Sequence, residues 1–388
     1  MELVDVPAFL TDFKQLTDPR IERHRQYPLL EILLVCVSAG VCGYQGWEEI
    51  AAFGRLKLAW LRQYLPFEAG IASHDTLNRV LQLLDPRAFE RCLVQWSTRT
   101  LLLPSGTQRC CDGKRLRHSA TAQQQQTPHA AGGRSAGHLL HMWSDEMGVC
   151  LGQYQTGEKA NEVSALPALL EVLDVSGCVV SGDAGFGHVR VATALQHAGA
   201  DYLLALKGNQ ASLLAATRQA FAMAPPGTVA VDVEAPAPPR HGRVEQRTCR
   251  LLPAQVLPLA QRAAWPGLRT LVEVHSERTQ VLSGVEQTQT RYYLSSLDAS
   301  AETFQRLVRR HWQIENKLHW VLDVVLGEDA RRKRAGHAAA NYAVLRKMVL
   351  RLLTDQADKP LPLKRKQLQC ALSDQVRAQC LGLDAYLE

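Results

Sequence analysis

The sequence predicts an α/β protein: a mixed sheet flanked by helices, preceded by an all-α domain and interrupted by a β-rich insertion. Three observations predict it. Apolar positions recur every three or four residues through about the first hundred residues, the period changes from about residue 105, and three strands then give way to alternating helix and strand. With 388 residues, 46% of them hydrophobic and 21% charged, the chain has room for two or three cores. A disordered tail, a collagenous rod and a disulfide-stapled miniprotein are excluded.

In the N-terminal part, LLEILLVCVSAGVC from Leu29 reads as a buried helix, short of the roughly 20 residues a bilayer demands. The run from Gly46 to Leu65 repeats apolar positions at three and four, and Ser73 is placed to cap a helix over the residues that follow. Asp18-Pro19-Arg20 and Asp85-Pro86-Arg87 are expected to start helices, since proline suits a first turn. The short helix carrying Thr76, Asn78 and Arg79 either lies against DNA or simply packs in a bundle. The opening MELVDVPAF lacks a basic region leading into an apolar stretch, so no secretory signal and a cytoplasmic location are expected. Ten cysteines without a CxxC pair, set mostly in apolar sequence, are expected as reduced, buried thiols.

From Thr107 the segment TQRCCDGK reads as a strand, and the glutamine tract after Ser119 as a flexible loop. HLLHMWSDE and GVCLGQYQTG are strands around a turn at Glu146 to Gly148. Helix ALPALLEVL, strand CVVSGDAGF, helix VRVATALQHAG and strand DYLLALKGNQ follow. Residues 210–290 break the rhythm with proline-rich PAPPRHG and strand-like alternation, as a β-rich insertion would. A long helical run from Glu302, the basic RRKR and a further helix NYAVLRKMVLRLL complete the chain. The expected division is 1–103, 104–210, 211–297 and 298–388, the last carrying the Glu315 helix and a basic tail.

Three acids stand out. Asp112 and Asp183 are expected at the carboxyl ends of strands, where a parallel sheet opens its crevice. An acid directly after a buried strand is costly unless it is paired or binds a cation. Glu315 lies beside an apolar stripe of Ile314, Leu318, Val321 and Val325, with His311, His319 and Asp323 at four-residue steps along the same flank. Two Asp and a Glu are hard oxygen ligands suited to Mg²⁺ or Mn²⁺, and two such ions can serve an in-line phosphoryl displacement. The patterns GxSxG, GxGxxG, P-loop and HExxH are absent, which argues against serine hydrolysis, nucleotide dependence and a zinc protease. Between Arg306 and Lys366, fifteen Lys or Arg face six Asp or Glu, either a footprint for DNA or a solvated helical face.

Six ordered motifs carry a resemblance. They are Asp112-Gly113-Lys114 with Leu116, Arg117 and Ser119; Lys159-Ala160-Asn161-Glu162; Gly182-Asp183-Ala184; Asp201 through Gln210; Tyr293-Leu294-Ser295-Ser296-Leu297; and His311-Trp312-Gln313-Ile314-Glu315-Asn316. Together with the N-terminal Tyr27-Pro28-Leu29 and Ser73-His74-Asp75-Thr76, they resemble bacterial insertion-sequence DDE transposases, in the H-repeat-associated subgroup. The resemblance covers nearly the whole chain. It implies a ribonuclease H-like catalytic domain with a β-rich insertion ahead of the last acid, and a catalytic triad of Asp112, Asp183 and Glu315. It also implies two Mg²⁺ or Mn²⁺ ions, Asp112 bridging both.

The implied activity is cleavage at the inverted-repeat ends of an element and strand transfer of the freed end into target DNA. Lys114, Arg117, Lys207, His311, Asn316, Lys317, Arg331, Arg332, Lys333 and Arg334 are the candidate DNA contacts. Double-stranded DNA, and a second copy of the chain when two ends are paired, are the implied partners, with no membrane. Val308, His311 and Leu322 depart from the Tyr, Arg and Lys of the wider superfamily, and His188 stands where Gln is expected. A domesticated DNA-binding protein and a hydrolytic nuclease of the same fold are the alternative readings.

Overall fold

The computed structural model describes residues 8–99, 106–116, 137–156, 162–225, 227–234, 242–330, 335–355 and 361–383. Nine described strands form one sheet: β1 Gln108–Arg115, β2 His138–Ser144, β3 Val149–Thr156, β4 Val179–Gly182, β5 Asp201–Leu206, β6 Ala230–Val233, β7 Arg243–Pro253, β8 Thr270–Gln280 and β9 Glu286–Ser295. Their order is β3-β2-β1-β4-β5-β9-β8-β7-β6. The pairs β1–β4 and β4–β5 are parallel and all others antiparallel. Parallel neighbours need crossovers, and helices Glu162–Leu170 and Val189–His197 supply them. The order 3-2-1-4-5 with this mixture of directions makes the first five strands a ribonuclease H-like sheet. The strands of the insertion join that same sheet, because β9 pairs with β5 from Leu203 opposite Ser295 to Leu206 opposite Tyr292.

Both faces are covered. On one, Leu166, Leu169, Val191, Leu195 and Phe221 bury the crossover helices and helix Ala211–Met223 against Leu140, Val180 and Leu204 of the sheet. On the other, helix Ala301–His311 packs Phe304, Leu307 and Val308 onto β5, β7, β8 and β9. Beside it lies a helical body in which the N-terminal helices, including Leu29–Val41 and Pro86–Arg99, share one core with Tyr342, Met348, Leu353 and Leu383 from the end of the chain. No helix among the described residues is long and apolar enough to cross a membrane. All ten cysteines are buried thiols.

Several expectations hold at residue level. Ser73 accepts the Thr76 N–H at 3.2 Å and caps helix His74–Leu83, and Pro86 opens helix Pro86–Arg99. The turn between β2 and β3 spans 145–148 and needs Gly148, whose φ is 65°. Others are corrected. Asp18-Pro19-Arg20 does not begin a helix, because both Asp18 oxygens grip Arg20 instead, at 2.9 Å to Nε and 2.6 Å to Nη2. Asp112 does not end its strand: β1 stops pairing with β4 at Cys111 but continues against β2 as far as Arg115. Helix Ala211–Met223 and strand β7 fill part of the insertion where no distinct element was expected. The glutamine tract lies outside the described residues.

The last correction concerns the Glu315 helix. After Ala301–His311 the chain winds as a π-helix over Ile314–His319 and Val321–Val325, with Trp320 N–H bonded to Glu315 C=O and Leu326 N–H to Val321 C=O. Five-residue hydrogen bonding widens each turn beyond the α-helical one. Residues four apart therefore stay in line, and the fully buried stripe is Ile314, Leu318, Leu322 and Leu326, not one that shifts to Val321 and Val325. Replacing Leu322 by Ala is expected to lower unfolding free energy by about 2–5 kcal/mol. Replacing Val324, 58% exposed, should change it by less than about 0.5 kcal/mol, as measured by denaturant titration.

Candidate active site and metal centre

A polar row crosses the sheet beneath the π-helix. Register places Gln153 on β3 opposite His141 on β2, and His141 opposite Asp112 on β1. Directly paired residues point to the same face, so all three side chains meet the helical layer. On the other side of β1, Cys111 pairs with Gly182 of β4, which sets Asp112 and Asp183 side by side on strands roughly 4.8 Å apart.

Local chemistry fixes each acid. The Gly113 N–H donates to Asp112 Oδ1 at 2.9 Å. Asp183 Oδ1 accepts the Gly185 N–H at 2.8 Å and caps the turn Ala184–Phe186. That turn folds the buried Phe186 back under β4. A Cβ on Gly182 would stand 2.8 Å from Phe186 Cβ, so this position needs glycine. Past β5, Asn209 donates to Ala184 C=O at 2.9 Å and Gln210 to Gly187 C=O at 3.1 Å, tying the Lys207 rim to the Asp183 turn.

Glu315 comes down from the π-helix onto Asp112. One ligand atom each from Asp112, Glu315 and His319 lie within 4.8 Å of one another. His319 Nδ1 stands 3.6 Å from both Asp112 Oδ2 and Glu315 Oε2, and its Nε2 is 3.0 Å from His141 Nδ1. The His319 imidazole beside Glu315 holds that carboxyl below its ordinary range. Burial, with the Lys347 charge nearby, pushes the His141 pKa well below the usual imidazole range. Two neighbouring carboxylates and an imidazole form a donor set that fits a divalent cation. Asp183 is not part of this tight cluster; its carboxylate faces the adjacent turn.

The other candidates divide into those turned inward and those at the rim. His311 is 6% exposed, with Nδ1 3.0 Å from Ser181 Oγ, and burial pushes its pKa down to about 4. A neutral, enclosed ring is no cationic partner for phosphate, which corrects the expectation of a DNA contact. Lys114 is likewise turned inward: it is 7% exposed, pairs with Asp323, and lies 3.7 Å from Glu328. Glu328 in turn stands 3.7 Å from Arg346. Lys207 and Asn316 are exposed, and the exposed Lys317 reaches Asp145 at 2.8 Å. Arg117, Arg331, Arg332, Lys333 and Arg334 lie outside the described residues, as does most of the motif from Lys159 to Glu162.

Much of the basic segment is also internal. Arg346, Lys347, Arg351 and Lys366 are buried, with Lys347 donating to Gln153 at 2.6 Å and Arg351 to Ser97 C=O at 2.7 Å. His141 escaped sequence reasoning. Its only signal was a lone histidine in the otherwise apolar run LLHMW.

The order of the first five strands defines this chain as a ribonuclease H-like protein. Sequence comparison then gives the family. Residues 104–352 match the Transposase DDE domain and residues 10–97 the DDE_Tnp_1-associated domain, so the chain belongs to the DDE transposase family and is a DDE-type transposase. It is 34% identical to "H repeat-associated putative transposase YhhI" of Escherichia coli K12 over 362 residues, 92% of this chain and 93% of that protein. It is 33% identical to "Putative transposase YncI" of Escherichia coli O157:H7, over 98% of this chain and 97% of the relative. Among solved structures, it superposes on the piggyBac transposase synaptic complex with hairpin DNA at a TM-score of 0.44 and 10% identity, covering 97% of this chain and 77% of that one. That likeness is too loose to carry an argument.

Two outcomes are expected. Lys114→Ala should lower unfolding free energy by about 3–5 kcal/mol, because it removes the buried cation between Asp323 and Glu328 and leaves Glu328 with Arg346 alone. A lysine used only for DNA would leave stability unchanged. His311 takes a proton near pH 6.5 when unfolded but only near 4 when folded, so the unfolded state binds more protons between those values. Stability should therefore fall as pH drops from 6.5 to 4, by on the order of 3 kcal/mol, and His311→Asn should flatten that part of the stability–pH curve.

Proposed function

We propose that this transposase binds the inverted-repeat ends of its element, cuts DNA there and joins the freed 3′ hydroxyl to target DNA. In this reading Asp112, Asp183 and Glu315 hold two divalent cations, Mg²⁺ or Mn²⁺. The observation that carries it is the return of Glu315, from a late helix, to the carboxylate of Asp112 on the first strand. When bound, such ions sharpen an attacking oxygen and stabilise the leaving one.

The chain's own groups do the rest. Asp112 stands between the Asp183 strand and the Glu315 helix, the position from which one carboxylate can serve two ions. Phe186 in the turn after Asp183, and Ile314 and Leu318 on either side of Glu315 in sequence, are fully buried and anchor the backbone from which these acids project. Lys207, Asn316 and Lys317 are the rim groups offered to the DNA backbone, joined in this proposal by Arg117 and Arg331 to Arg334. Phosphate contacts of this kind weaken steeply with salt. Pairing two ends brings in a second copy of the chain.

Glu315→Gln and Asp112→Asn are expected to lower cleavage of inverted-repeat DNA and joining of pre-cut ends by well over about a hundredfold, since even groups behind metal ligands are worth 10–100-fold. Gel assays with Mg²⁺ or Mn²⁺ measure both steps. Joining at the wild-type rate by either variant rejects the assignment, and cutting without joining identifies a nuclease instead.

A further inference from the structure

We propose that His319 is itself a metal ligand, which makes the cation shared by Asp112 and Glu315 a mixed nitrogen–oxygen centre oriented by His141. The inference rests on the proposed metal-dependent function and adds a donor to it.

The geometry carries the assignment. His319 is 5% exposed, and its Nδ1 faces two carboxylate oxygens at 3.6 Å each. That separation is too long for a hydrogen bond. It does suit donors arranged around one cation, since neighbouring ligands about 2.1 Å from an ion stand on the order of 3 Å or more apart. The ring nitrogen and the two carboxylates thus turn three donor atoms toward one point, where a dication would be held and would neutralise the acids.

The opposite edge of the ring supports the same role. A ligating histidine characteristically donates its other N–H to a fixed partner, which sets its tautomer. His319 Nε2 lies 3.0 Å from Nδ1 of His141, which accepts that hydrogen in the tautomer that carries its own proton on Nε2. His141 is immobilised on β2 opposite Asp112, so one pair of strands positions both the carboxylate and the ring support. The π-winding matters too. It keeps Glu315 and His319, four residues apart, on the same line toward the sheet.

An imidazole in the donor set shifts preference away from Mg²⁺, which favours oxygen, toward Mn²⁺ and other transition-metal ions. His141 is then a positioning residue and not a ligand.

Pulsed electron paramagnetic resonance of the full chain loaded with Mn²⁺ alone tests this. The wild type should show nitrogen-14 coupling from a directly bound imidazole. His319→Gln should lose that coupling, bind Mn²⁺ at least about tenfold more weakly, and lose part of the Mn²⁺-over-Mg²⁺ preference in calorimetry. His141→Asn should keep the nitrogen coupling but weaken binding. Mn²⁺ bound by the wild type without nitrogen coupling, or coupling that survives in His319→Gln, overturns the ligand while leaving the carboxylate centre intact. Mn²⁺ binding that is absent from the wild type, or that is unaffected by Asp112→Asn, overturns both proposals together.

Discussion

The segment from Ile314 to Leu326 must satisfy two unlike surfaces at once. One side closes the apolar core of the helical body through Ile314, Leu318, Leu322 and Leu326. The adjoining side presents His311, Glu315, His319 and Asp323 to polar groups of the sheet: Ser181, Asp112, His141 and Lys114. An α-helix drifts as residues recur every four, so one of the two lines would rotate out of place. Interleaving π turns, which hold more than four residues, with α turns, which hold fewer, offsets that drift and keeps both lines nearly straight. Turns of this kind are rare and concentrate at functional sites, and here the reason is geometric.

Beneath the site, charge is managed by enclosure. Lys114, Asp323, Glu328 and Arg346 form a chain of ion pairs reaching from β1 to helix Ala338–Asp355. Lys347, Gln153 and Glu90 continue it along the polar row, with Gln153 donating to Glu90 at 3.2 Å. Burial pushes the Glu90 carboxyl up to about 7 despite the Arg87 guanidinium beside it. Buried networks of this kind are weak sources of net stability, but breaking one member is severe. Their effect is to fix the floor on which Asp112 and His141 stand.

The insertion likewise serves the site through the sheet. Because β9 pairs with β5, strands β6 to β9 extend the platform that holds the Asp183 and Lys207 rims. Helix Ala301–His311 packs across that extension and delivers the chain to Glu315. Arg309 and Arg310 tie the helix to Glu234 near the sheet's far edge and to Glu146 in the turn between β2 and β3. The helix that carries the last acid is thus held at both margins of the sheet.

The sequence by itself determined the helical N-terminal segment and the strands other than β7, and it singled out three acids, because each rests on a local signal: a capping serine, a period, an acid at an apolar boundary. It also marked His319 as a neighbour of Glu315. Only the tertiary structure decided which basic residues face inward. Lys114, His311 and Arg346 read as surface cations because burial depends on partners such as Asp323, Ser181 and Glu328, distant in the chain or on other elements. The π-winding was equally invisible, since it arises from a fit to two surfaces that exist only after folding. His141 gained a role for the same reason: cross-strand register, not sequence, set it opposite Asp112 and against His319.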